Sequence, residues 1–135
     1  MGAQGFPSHA RVVLVDSRHE RQAIMRVMVE AALGDGAVVA EAASAAEASQ
    51  AIERYDADVA VVEIQLPLAE GLAAVASLRE GHPALVIVVC TFHRSPAFEQ
   101  AALDAGADAY LPKPVSPVDL RATVDAGHRV VLAPA

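Results

Sequence analysis

Asp58-Val59-Ala60-Val61-Val62-Glu63-Ile64-Gln65-Leu66-Pro67 sets an apolar run against a carboxylate and then breaks at a proline. Val59 to Val62 form an unbroken apolar run, as in a buried strand, and Leu85 to Cys90 is apolar on both faces, as in a strand covered on both sides. Glu63 therefore stands where a buried strand becomes a loop. Three further strand-like runs end in polar residues of other kinds. Val12-Val13-Leu14-Val15 ends in Asp16, Val86-Ile87-Val88-Val89-Cys90 in Thr91, and Tyr110-Leu111-Pro112 in Lys113. Two carboxylates, a hydroxyl and an amine at strand ends make a candidate pocket.

Helical spacing fills the gaps between these runs. After Asp16, residues Ala23, Ile24, Val27, Met28, Ala31 and Ala32 recur at helical intervals, and Gly34 and Gly36 provide a stop. Ala37 to Ala40 reads as a short strand. Ser44 and Glu47 fit a capping box, with Ala48, Ala51, Ile52 and Tyr55 continuing that helix. Asp58 to Ile64 is the third strand. Gly71 permits a close backbone, and Leu72, Val75 and Ala76 mark a third helix that ends before Gly81-His82-Pro83. Leu85 to Cys90 is the fourth strand, Ser95-Pro96 starts a fourth helix that Gly106 closes, and Asp108 to Leu111 is the fifth strand. Ser116-Pro117 then opens a fifth helix through about Ala126.

Five strands alternating with five helices predict an α/β domain with a doubly wound parallel sheet in the order 2-1-3-4-5. Ligands bind such sheets beyond the carboxyl ends of the strands, where the order reverses, between strands one and three. That rule brings Asp16 and Glu63 together, with Thr91 and Lys113 at their flank.

The whole chain supports one domain. Its 135 residues suffice for a single core, and 54% hydrophobic with 20% charged residues excludes a disordered chain. The domain is read as residues 10–127, with 1–9 a loose tail and 128–135 a tail or the start of a linker. A net charge of −7 argues against direct nucleic-acid binding. One cysteine, Cys90, cannot form an intrachain disulfide, and inside an apolar strand it acts as a small hydrophobe. No apolar run reaches the roughly 20 residues that span a bilayer, so cytoplasmic residence without membrane contact is expected.

With Val13-Leu14-Val15-Asp16, Glu63-Ile64-Gln65-Leu66-Pro67 with Gly71, Val88-Val89-Cys90-Thr91 and Gly106 to Pro114 in this order, the chain resembles the receiver domain of bacterial two-component response regulators. The resemblance covers about Arg11 to Gly127 and implies a flavodoxin-like (βα)5 fold. It also implies phosphoryl transfer from a histidine kinase to a carboxylate at position 63. Mg²⁺ would be held by Asp16, Glu63 and the backbone carbonyl of Gln65. Thr91 and Lys113 would meet the phosphoryl oxygens, Tyr110 would act as an aromatic switch, and Lys113-Pro114 would be a cis peptide. The face of the fourth helix, fifth strand and fifth helix (Phe98 through Arg121) would carry partner contacts or a homodimer.

Two departures fall on the chemistry. The family's phosphoacceptor is Asp, and here it is Glu63. The family's acidic pair is here Asp16-Ser17, so a neutral hydroxyl replaces a direct metal ligand, and Mg²⁺ favours hard anionic oxygens. Asp16, Ser17, Glu63 and Lys113 sum to about −1, against about −2 for three carboxylates and a lysine. Glu63 also carries its carboxylate one methylene further, a misplacement that can slow in-line transfer roughly a hundredfold. The longer reach could instead join Glu63 to Lys113 in a permanent ion pair.

Plainer readings stand beside these. Asp16 could simply cap a helix, Glu63 could be a solvated loop residue, Lys113 an exposed lysine, and Thr91 an ordinary strand residue. Tyr110 could be core packing, Cys90 is structural, and His19 and His93, which lack paired ligand spacing, read as surface histidines. The expectation is a divergent receiver that is not an enzyme, binds Mg²⁺ weakly, is not phosphorylated in the usual way, and signals through a histidine kinase or other signalling protein. The alternatives are a working phospho-receiver with weakened Mg²⁺ binding, and a small-ligand sensor using the same crevice.

Overall fold

The computed structural model describes residues 10–64 and 68–132. Five strands, β1 (Val12–Val15), β2 (Val38–Ala42), β3 (Val59–Glu63), β4 (Val86–Thr91) and β5 (Ala109–Pro112), form one parallel sheet in the order β2-β1-β3-β4-β5. Five helices alternate with them: α1 (His19–Leu33), α2 (Ala45–Tyr55), α3 (Leu68–Gly81), α4 (Pro96–Ala105) and α5 (Pro117–Leu132). The predicted flavodoxin-like class and strand order are both present.

Side-chain alternation divides the core in two. Val13, Val15, Ala60, Val62, Ile87 and Val89 pack with Ala48, Ile52, Val75, Leu78 and Phe98, on the face that α2, α3 and α4 cover. Val12, Leu14, Val59, Val61, Val86, Val88 and Cys90 pack with Met25, Val29, Leu120 and Val124, under α1 and α5. Each central strand feeds both layers, which is why its sequence is continuously apolar. At about 25 cal/mol per Å² of apolar surface removed from water, these layers dominate the stabilisation.

The helix starts follow their cap chemistry. Ser44 Oγ accepts from the amide of Glu47 at 3.2 Å, and Glu47 Oε1 accepts from the amide of Ala43 at 3.0 Å, one residue earlier than in the usual reciprocal box. Ser95 caps α4 through the Phe98 amide with Pro96 in the first turn, and Ser116 Oγ accepts from the Asp119 amide. Some boundaries differ from the sequence reading. β2 runs two residues further, to Ala42, because it pairs with β1 up to Val15. α5 continues to Leu132, so the segment from 128 is helix and not tail as far as it is described. Nothing in the sequence stops that helix before Pro134. The tail read at 1–9 lies outside the described residues.

Candidate functional site

Register assembles the crevice. Val15 pairs with Val62 across β1 and β3, so the next residues, Asp16 and Glu63, emerge side by side. Glu63 in turn pairs with Cys90, and Thr91 with Pro112. The Lys113 amide donates to the Thr91 carbonyl at 2.7 Å, which carries Lys113 one step past the sheet edge. The four strand-end residues named from the sequence therefore share one crevice. Asp16 and Glu63 are nonetheless only 3% and 8% exposed. A carboxylate this deep needs compensation.

Glu63 receives it from Lys113, whose ammonium forms an ion pair with Glu63 Oε1. The Lys113–Pro114 peptide is cis, and the Phe92 ring lies over the ammonium with 5.1 Å from Nζ to the ring centre. Burial pushes the Glu63 carboxyl above its ordinary range. The Lys113 hydrogen bond and charge pull it back, the charge of Asp16 pushes it up, and Arg21 lowers it. Burial also raises Asp16, against the Arg18 amide and the charges of Arg21, Lys113 and Arg18. Desolvation dominates for both acids despite the cations around them.

Asp16 Oδ1 accepts from the Arg18 amide at 2.9 Å, but α1 begins at His19 with Arg18 as its cap residue, so Asp16 orders the turn ahead of the helix. Thr91 Oγ1 donates to the Ile64 carbonyl at 2.8 Å and accepts from the His93 amide at 3.1 Å. The hydroxyl thus joins the β3 exit to the β4–α4 loop. Tyr110 points inward: it is buried, its hydroxyl donates to the His93 carbonyl, and its ring meets Phe98 edge-on at 5.9 Å. Burial, then the charge of Glu99, raises its pKa. Burial, then Glu63, pushes the Cys90 thiol up to about 12, so no thiolate forms at neutral pH. His93 is exposed, as read. Gln65 and Pro67 lie outside the described residues, as does the side chain of His19.

Three residues of the site were missed in the sequence. Gln22 is buried, and its Nε2 donates to the carbonyls of Asp16 at 2.9 Å and Ala42 at 3.3 Å, tying the ends of β1 and β2 together. Arg21 lines the crevice mouth with Glu63, Thr91 and His93, and an adjoining apolar groove with Lys113, Phe92 and Met28. Phe92 roofs Lys113. A polar Gln at a helix position that should face a sheet was the one available signal. Arg21 and Phe92 carried none, because surface and site positions alternate within one turn.

The surface has its own asymmetry. Ile24 and Val27 on α1, Phe92 beside the crevice and Val118 on α5 are 72%, 71%, 65% and 77% exposed. The outward side of α4 is instead Ala97, Glu99, Gln100 and Asp104, while Phe98, Tyr110 and Leu120 are buried.

A doubly wound domain with an acid–amine crevice at its switch point is the class that fold and site define. The chain belongs to the response regulator receiver domain family, which residues 12–125 match. It is 33% identical over 114 residues to the alginate biosynthesis transcriptional regulatory protein AlgB of Pseudomonas syringae pv. tomato, covering 84% of this chain but 25% of that protein. It is 28% identical over 104 residues to the chemotaxis protein CheY of Halobacterium salinarum, covering 77% of this chain and 84% of that one. A CheY-like receiver domain from Methanospirillum hungatei superposes with a TM-score of 0.73 at 28% identity, covering 91% and 96% of the two chains. A LuxR-family two-component response regulator from Aurantimonas sp. superposes at 0.75 with 34% identity, covering 87% and 84%.

Receiver domains generally bind Mg²⁺ at their phosphorylation site and interact with histidine kinases and other signalling proteins. Here the donor set is thin. Among the described residues no three His, Cys, Asp or Glu side chains converge as a metal site, and Ser17 offers only a hydroxyl. One of the two carboxylates is committed to Lys113. These side chains offer Mg²⁺ fewer anionic oxygens than it favours, and the Gln65 carbonyl lies outside the described residues. No helix among the described residues is long and apolar enough to cross a membrane.

Proposed function

We propose that this chain is a receiver module held in one state by a standing Glu63–Lys113 ion pair, signalling through protein contacts without taking a phosphoryl group in the usual way. The pair itself carries the reading. Its side chains are 2% and 15% exposed on the acid and the amine, so the lysine that would meet an incoming phosphoryl group is already satisfied by a buried carboxylate. The inward Tyr110 and the Thr91–Ile64 bond support a fixed arrangement around it. The module acts as a signalling part and not as a catalyst, and its partner is a histidine kinase or another signalling protein. The exposed apolar side chains of α1 and Phe92 offer a contact surface beside the crevice, and the exposed Val118 on α5 offers one on the face of α4, β5 and α5, where a homodimer would form.

Acetyl phosphate with Mg²⁺, followed by intact-mass measurement, tests this directly. No phosphoryl adduct is expected on the wild-type chain, and no spectral response to beryllofluoride. The double variant Ser17→Asp/Glu63→Asp restores the missing oxygen and shortens the acid, and it should gain the adduct. An adduct on wild type that disappears in Glu63→Gln overturns the proposal.

A further inference from the structure

We infer that the apolar groove between α1 and the loops after β4 and β5 binds a small monocarboxylate with an apolar body, held at one end by the Arg21 guanidinium. Ile24, Met25 and Met28 of α1 form one wall, and Phe92, Pro114 and Val115 form the other, around a volume of about 320 Å³. That lies at the small end of ligand cavities. Two methionines in one wall let the groove adapt to bodies of different shape. Ile24 and Phe92 are 72% and 65% exposed, so an occupant would take apolar rim surface out of water.

Charge selects the head group of the occupant. Arg21 and Lys113 are the charged side chains of the lining, which holds no acid among the described residues, in a chain of net charge −7. Lys113 is already paired with Glu63 and lies under the Phe92 ring. Arg21 also reaches the crevice mouth beside Glu63 and Thr91, but among the described residues its side chain makes no ion pair or hydrogen bond. Of the other charged groups nearby, Asp16 accepts from the Arg18 amide, Glu70 lines the crevice with Ser17 and not the groove, and Arg18 and Glu20 are exposed. A guanidinium is weakly hydrated and presents a fork of donors that matches one carboxylate. One available cation beside an apolar wall therefore selects a single carboxylate over a phosphate dianion or an amine. The groove lies outside the Glu63–Lys113 pair, so the inference stands whether or not that pair bars phosphoryl uptake.

Octanoate is the probe, with octylammonium and octanol as matched tails, read by nuclear magnetic resonance of the Met25 and Met28 methyl groups in the intact chain. With about ten non-hydrogen atoms, octanoate should shift both methyls saturably, with a Kd on the order of a millimolar. Octylammonium should bind about tenfold more weakly, although the net charge of the chain attracts it. In Arg21→Met, octanoate should weaken about tenfold while octanol keeps its wild-type affinity, which shows the groove intact. Arg21→Lys keeps the charge and loses the fork, and should fall between the two. If Arg21→Met loses octanol as well, the preference of wild type for octanoate over octylammonium decides alone. Methyls that do not move, as in a groove kept for a partner protein, would overturn the inference. So would octylammonium binding as tightly as octanoate, or octanoate binding equally to wild type and to an Arg21→Met that retains octanol.

Discussion

The two ends of the sheet both hold a cation against a carboxylate, and they treat burial in opposite ways. At the amino end, Arg79 of α3 donates to the carbonyls of Gly106 at 2.9 Å, Pro83 at 2.9 Å and Leu85 at 2.8 Å, and to Asp108 Oδ2 at 2.7 Å. Asp108 Oδ2 also accepts from the Ile87 amide at 2.8 Å. Gly106 has φ +124°, and a Cβ there would come within 2.6 Å of the Arg79 stem, so the staple closes only over glycine. At the carboxyl end, burial raises both acids; the nearby Arg18 amide is the first to offset it for Asp16, whereas for Glu63 the offset comes first from Lys113, on a distant element. A charge saturated by nearby backbone groups holds structure together. A charge that depends on a long-range partner responds when that partner changes.

The largest expected effect breaks the staple. Arg79→Ala strips several carbonyls of their donor and leaves Asp108 without its cation, and should destabilise by about 3 kcal/mol, a Tm drop of roughly 10 °C. The loss comes mainly from backbone acceptors left without their donor, so it should be nearly the same at pH 5 and pH 7. Urea unfolding at both values checks it.

Lys113→Met makes the contrasting break. Glu63 loses its partner while remaining buried, and the loss at pH 7 should be about 2 kcal/mol. It should shrink at pH 5, where Glu63 can take a proton. A loss independent of pH would mean that Lys113 acts only through packing.

Next in size is the wild-type pH profile. Asp16 and Glu63 have folded pKa values above their unfolded ones, so in the window between the two the folded state binds more protons. Their contribution is therefore fully present below the ordinary carboxylate range and lost as pH rises through the raised folded values. That is the reverse of a carboxylate whose salt bridge lowers its pKa. In Asp16→Asn/Glu63→Gln the stability gained on acidification should flatten relative to wild type. An unchanged profile would place the titration elsewhere.

The smallest effect is Asp108→Asn, which keeps an acceptor for Ile87 or Arg79 and loses only charge at a side chain one-third exposed. About 1 kcal/mol or less is expected, diminishing with added salt. Thermal melts at low and high ionic strength measure it.

The fold was legible because β1, β3 and β4 are buried on both faces and α2, α4 and α5 each start at a capping serine. Val59 to Val62, Ser44 with Glu47, and Ser95-Pro96 announce local structure through local chemistry. Strand ends were less sharp: β2 gained Glu41 and Ala42 from pairing with β1, which no property of those two residues announces. Within the crevice, Asp16, Glu63, Thr91 and Lys113 could be named because strand ends in a doubly wound sheet converge by rule. Arg21, Gln22 and Phe92 could not, since whether a residue in an α1 turn or a loop faces the crevice depends on how that segment settles against the sheet.

The sequence by itself determined the alternation of elements, the strand order that follows from right-handed crossovers, and the identity of the groups at the strand ends, Glu in place of Asp and Ser17 beside Asp16 among them. Only the tertiary structure decided that Lys113, fifty positions away, closes on Glu63, that Arg21 joins them, and that Thr91 and Tyr110 turn toward the backbone of Ile64 and His93. Periodicity and caps act over a few residues, so they can be read in order along the chain. Charge compensation acts through space among groups that folding has removed from water, and its partners exist only once the sheet has brought them together.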